Sequence, residues 1–187
     1  MTDVALLSTV EQAGLIRRGE ISSRELTEHF IERIERLDGE INSVITRDFE
    51  TATAESDAAD TAQQKGEPMG LLHGVPITVK DALQTKNLKS TGGATELQNN
   101  VPPNDAAVVA SVRREGGIVM GKTNLPRWSG DIQAYNDIFG TTNNPWDISR
   151  GPGGSSGGAA AAVAMGFTSF EIGTDIGCLL YTSPSPR

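Results

Sequence analysis

Three short segments carry residue types that could do chemistry. The first is Gly153-Gly-Ser-Ser-Gly-Gly158, which runs directly into the alanines at 159–162. Glycines on both sides of a serine pair let the backbone reach positive φ and approach a ligand without Cβ clashes. The helix expected from Ser156 to Met165 would point its free N–H groups and positive dipole end at Ser155 and Ser156. Such a place favours an oxyanion or a hydroxyl of lowered pKa, although the same composition also suits a flexible Gly/Ser linker. The second is Lys80, at the end of the β-branched run Val75-Pro-Ile-Thr-Val79. On a surface it would snorkel. Buried, it would give up its proton more readily, because desolvation disfavours the ammonium, and its free amine could take a proton from a serine hydroxyl. The third is Gly173-Thr-Asp-Ile-Gly177. Successive N–H groups in such a turn can form an oxyanion hole, or the segment can be an ordinary strand-to-helix turn.

The elements that must position these residues follow from pattern. Ser8-Thr-Val-Glu11 and Ser22-Ser-Arg-Glu25 are capping boxes that predict helices after them. In the second helix Leu26, Phe30, Ile34 and Leu37 recur at helical spacing. Residues 48–65 read as an exposed helix with a thin alanine face. Val75–Val79 predicts a strand. Asp105–Arg114 predicts a helix capped by Asn104 or Asp105 and ended by Gly116-Gly117, followed by a buried strand at Ile118–Met120. Residues 123–154, rich in Pro, Gly and Asn, predict a long irregular segment, which in a compact domain points to function. Phe167–Ile172 predicts another strand. Strands alternating with helices give an α/β fold with a mixed or largely parallel sheet.

Composition sets bounds. With 187 residues, 37% of them hydrophobic, the chain is long enough for one domain with a core. No apolar run approaches a membrane-spanning length, and the N-terminus has no basic-then-apolar leader pattern. A net charge of -8 argues against a general nucleic-acid binder. The single cysteine, Cys178, excludes an internal disulfide framework or a cysteine zinc site. His29 lies on a polar helix face and reads as a solvated surface residue, and His73, beside a turn, reads as structural.

Gly116-Gly-Ile-Val-Met-Gly-Lys-Thr123 satisfies the spacing of a phosphate-binding loop. The mechanism is against it: Ile118, Val119 and Met120 prefer a strand where such a loop needs backbone N–H groups turned inward.

Together these segments resemble the amidase signature family of serine hydrolases. Gly74-Val-Pro-Ile-Thr-Val-Lys-Asp81 is similar to its lysine strand, Gly121-Lys-Thr-Asn124 and Asn144-Pro-Trp-Asp147 to intervening landmarks, Gly153–Gly158 to its serine loop, and Gly173–Gly177 to the start of its nucleophile turn. The resemblance implies an α/β fold with a mixed twisted sheet and flanking helices, incomplete at the C-terminus, over a single domain at 1–177. It implies a serine–cis-serine–lysine triad. Lys80 is then the base and Ser155 the bridging serine, preceded by a cis peptide bond. Oxyanion and substrate-binding groups would come from Ser156 and from the backbone of Ile176 and Gly177. The nucleophilic serine would stand at position 179, where this chain has Leu179. Residues 178–187 resemble a translated sequencing-library adapter and are expected to be a non-native tail.

The implied activity is hydrolysis of carboxylic amides through a serine acyl-enzyme. The substrate would be a small-molecule amide, with no metal, no cofactor, no nucleic acid and no membrane. A cytoplasmic location is expected, and a homodimer is compatible with the full-length parent. Asn124–Phe139 is more similar to stand-alone amidases. One alternative is the glutamine-hydrolysing component of a tRNA-dependent amidotransferase. Another, of a different class, is a non-catalytic truncated product.

Overall fold

Two capping boxes start the chain's first two long elements. In the computed structural model, which describes residues 3–67 and 69–175, α1 spans Thr9–Arg17 and α2 spans Ser23–Ile41, each with its serine and glutamate bonded reciprocally to backbone N–H groups. Then come β1 (Val44–Arg47), α3 (Phe49–Gln64), β2 (Pro76–Lys80), α4 (Ala107–Arg114) and β3 (Ile118–Thr123). A two-stranded hairpin, β4 (Tyr135–Asn136) and β5 (Gly140–Thr141), interrupts the irregular stretch. Last are α5 (Gly157–Ala164) and β6 (Glu171–Ile172).

The main sheet has the order β1-β3-β2-β6. β2 runs parallel to both β3 and β6, and β1 runs antiparallel to β3, so the sheet is mixed and the fold is α/β. Every residue of β2 and β3 is buried, as the centre of a sheet covered on both faces requires. The core joins Ile77, Val79 and Met120 of these strands to Leu26, Phe30 and Ile34 of α2 and to Phe167. Each such side chain contributes about 1.5–3 kcal/mol when fully buried.

Besides the β4–β5 hairpin, β1, α4 and β6 differ from the sequence expectation. β1 has no counterpart in it. α2 ends at Asn42 in the left-handed conformation, and buried Asp38 then accepts from the Ser43 and Val44 backbone N–H groups (2.8 and 3.0 Å), the Ser43 hydroxyl (2.6 Å) and Arg47 (3.0 Å). One carboxylate thus ties the helix end to a four-residue strand. α4 starts two residues late, because Asp105 does not cap it. The Asp105 carboxylate accepts from the Lys86 N–H at 2.7 Å and faces Arg113 at 3.5 Å, leaving Ala106 as an N-cap without a side-chain bond. β6 covers only the last two residues of the expected strand. The Thr168 hydroxyl donates to the Phe170 carbonyl at 2.6 Å and accepts from its N–H at 3.3 Å, a local bonding pattern that competes with ladder pairing.

The segment from 123 to 154 is largely irregular, as its composition predicts, and is stitched by buried asparagines. Asn136 donates to Asn124 Oδ1 (2.8 Å) and to the Leu125 carbonyl (2.9 Å), while Asn124 donates to Thr142 Oγ1 (3.0 Å) and the Gly140 carbonyl (3.1 Å). Among the described residues no helix is long and apolar enough to cross a membrane.

Candidate active site

Lys80 closes β2 at its carboxyl end, the end at which parallel sheets place ligand sites. Its side chain is fully buried. The Nζ atom donates to Ser155 Oγ at 2.7 Å, to Thr174 Oγ1 at 2.7 Å and to Ser156 Oγ at 3.0 Å. Burial draws the Lys80 pKa down to about 8, against the opposing pull of Asp175 and Glu171. An amine in that range exists in both protonation states near neutral pH.

The serine loop reaches Lys80 because its backbone packs where side chains will not fit. A Cβ on Gly154 would lie 2.7 Å from the backbone of Ile132 and Gln133, so only glycine allows that approach. The Gly154–Ser155 peptide is cis and Gly153 has φ 88. Ser156 is the N-cap of α5 but makes no capping bond. Its hydroxyl turns instead to the next segment, donating to the Thr174 carbonyl at 3.0 Å and accepting from the Thr174 N–H at 3.2 Å. The register of β6 on β2 delivers Thr174: Val79 pairs with Ile172, and the chain then turns across the end of β2.

The three segments singled out in the sequence therefore meet at one amine. Lys80, Ser155 and Ser156 are brought together. Ile176, Gly177 and Leu179, and the whole of 178–187, lie outside the described residues. Thr174 was missed as a direct partner of Lys80, because the sequence drew attention to backbone N–H groups of that turn rather than to its hydroxyl. Its place inside the Gly173–Gly177 turn was the available signal. His29, expected as a solvated surface residue, bonds Asp3 at 2.8 Å, and His73, expected as structural, bonds the Ala59 carbonyl at 3.1 Å.

A second buried lysine stands on the neighbouring strand. Lys122, on β3, donates to the Leu83 carbonyl (2.5 Å) and to the Thr85 and Ser90 hydroxyls (2.9 Å each), and lies 3.7 Å from Asp81 Oδ1. Burial lowers its pKa to about 8 as well. In Gly116–Thr123 the chain from Ile118 onward is strand, so the phosphate-loop spacing has no loop behind it.

A family profile described as Amidase matches residues 25–178. A glutamyl-tRNA(Gln) amidotransferase subunit of Moraxella catarrhalis is 46% identical over 177 residues, which are 95% of this chain and 36% of that protein. Among solved structures, a bacterial aryl acylamidase of the amidase signature family is 32% identical with a TM-score of 0.84, covering 89% of this chain and 35% of that one. The peptide amidase of Stenotrophomonas maltophilia is 32% identical with a TM-score of 0.83, covering 88% and 35%. The chain thus spans about a third of the length of the relatives it matches.

Proposed function

This chain belongs to the amidase family, and on that premise we propose that it supplies the base and the bridging serine of a site that hydrolyses carboxylic amides. The observation that carries the reading is the buried 2.7 Å contact between Lys80 Nζ and Ser155 Oγ, joined to an amine whose pKa is near 8. In its neutral form Lys80 accepts the Ser155 proton while Ser155 takes one from the nucleophile. The nucleophile attacks the amide carbonyl. The relay returns the proton to the leaving nitrogen as the C–N bond breaks, and water then hydrolyses the acyl-enzyme. Ser156 and the N–H groups of Ile176 and Gly177 are the proposed substrate and oxyanion contacts.

The nucleophile in this reading is a serine at position 179 of the full-length protein, which continues the domain at 1–177. With Leu179 there, the chain as written has no attacking atom and is expected to hydrolyse no amide. The reading calls on no metal or cofactor, and a soluble, cytoplasmic enzyme is part of it.

A second reading has a specific observation behind it. The 46% identical relative belongs to an amidotransferase, in which the same chemistry would release ammonia from glutamine for a partner. The segment Asn124–Phe139 supports the stand-alone reading. Ammonia release by the full-length protein separates the two. Hydrolysis of simple amides without a partner, abolished by Lys80→Ala, is the expected result. Glutamine hydrolysis only in the presence of partner proteins would move the assignment to the second reading, and no release under either condition would overturn both.

A further inference from the structure

Glu171 has no part in the relay described above, yet its carboxylate sits on the same face of the sheet as Lys80. Thr78 and Lys80 are two positions apart on β2 and so share a face. Thr123 of β3 is opposite Lys80, and Glu171 of β6 is opposite Thr78. The Thr123 hydroxyl donates to Glu171 Oε1 at 2.7 Å and the Thr78 hydroxyl donates to Glu171 Oε2. One carboxylate thus spans three adjacent strands, held by hydroxyls that are themselves fully buried. Two residues further on, the chain reaches Gly173 and then Thr174, a direct partner of Lys80.

We propose that Glu171 is a positioning residue for Lys80: clasped by Thr78 and Thr123, its carboxylate is a fixed anion that, alongside Asp175, strengthens the amine's hold on its proton. The proposal rests on the reading of Lys80 as the base. The charged groups acting around the pair are Lys80 and Lys122, which favour the Glu171 carboxylate, and Asp175, which acts on Lys80 in the same sense as Glu171 and more strongly. Burial drives the Glu171 pKa up to about 7, with both threonine hydroxyls opposing it. Glu171 and Lys80 thus change charge in the same range of pH. Protonated, Glu171 stops favouring the ammonium; ionised, it holds the proton on Lys80 to higher pH.

The sign of the test follows. Removing the anion must make Lys80 easier to deprotonate. In the full-length protein, Glu171→Gln keeps the size but not the charge; its amide oxygen still accepts from one threonine hydroxyl, and its amide nitrogen donates to the other. It should move the acidic limb of the kcat/KM–pH profile down by about one pH unit, the low end of what a nearby opposite charge does. Thr123→Val removes one donor to the carboxylate and so raises the Glu171 pKa. It should shift the limb in the same direction by less, and it decides the matter alone if Glu171→Gln does not fold. A 13C-NMR titration of the lysine Cε resonances, with Lys80 assigned by Lys80→Met, reads the same midpoint without needing turnover. A wild type that is inactive or indifferent to Lys80→Ala defeats the functional reading, while the NMR midpoint still reports on Glu171. Midpoints of Lys80 unchanged in folded Glu171→Gln, or unchanged in Thr123→Val where only that variant folds, would overturn the proposal. Loss of activity with an unmoved midpoint would do the same, since it marks a purely structural role.

Discussion

Lys80 Nζ and Ser155 Oγ stand 2.7 Å apart across 75 positions of chain, both in buried side chains. Neither residue is held by its sequence neighbourhood alone. β2 brings the lysine to the end of the sheet, and the glycine-flanked loop before α5 brings the serine over it.

In the proposed relay these two residues act as one unit. In the full-length protein, Lys80→Ala should lower kcat/KM for an amide substrate by about 10²–10⁴-fold, the usual contribution of a general base. Ser155→Ala should cost a similar factor. The double variant should be little worse than either single one, because both remove the same relay. Steady-state kinetics on the three variants checks this, and multiplicative losses would separate the residues.

The pH dependence carries a definite sign. Burial lowers the Lys80 pKa to about 8, and the neutral amine is the basic form. The value of kcat/KM should therefore climb with pH and level off above about 8. An ordinary lysine would keep it climbing to about 10.4. A profile measured from pH 6 to beyond 10 distinguishes the two.

Lys122 makes a prediction about stability. Lys122→Met would leave buried Asp81 and the Leu83 carbonyl without their cation, and should destabilise the protein by about 3–5 kcal/mol, as breaking a buried ion pair does. It should also change the dependence on pH. Folded Lys122 titrates near 8 and the unfolded residue near 10.5. Between those values the unfolded chain binds more protons, and stability rises with pH. Urea midpoints at pH 8 and pH 10 should show a smaller rise in the variant than in the wild type.

Gly158 tests how α5 is seated. A Cβ there would lie 2.3 Å from the Asn124 nitrogen and 2.6 Å from its carbonyl oxygen, and the Gly158 N–H already bonds that carbonyl at 3.1 Å. Gly158→Ala must push the helix away from the end of β3. It should cost about 1–3 kcal/mol and lower kcat more than the more distant Gly39→Ala, where the added Cβ meets nothing within 4 Å. Denaturant midpoints and kcat of the two variants give the comparison.

Much of this was legible in residue order. The capping boxes at Ser8 and Ser22 act locally and fold as read. The strands β2 and β3 grow from the apolar residues Val75–Ile77 and Ile118–Met120, which the sequence states directly, and continue into buried Lys80 and Lys122, which it does not. What could not be read is convergence. Asp105 looks like a cap until Lys86 and Arg113 claim it, and β1 exists because Asp38, on the preceding helix, holds its first residues. The same limit applies at the site. The segments holding Lys80, Ser155 and Ser156 stand out by composition. Thr174 and Glu171 gain their places only when β6 docks on β2; the glycine-bracketed turn around Thr174 hints at a site, and nothing around Glu171 does.

The two buried lysines share a titration range but not a fate. The three hydrogen bonds described for Lys80 run to alcohols, and alcohols can reverse their hydrogen bonds when the ammonium discharges. Around Lys122 a carbonyl and a carboxylate join the alcohols, and those two have no hydrogen to give back. One sheet thus holds two buried lysines, told apart by whether the oxygens around them carry protons.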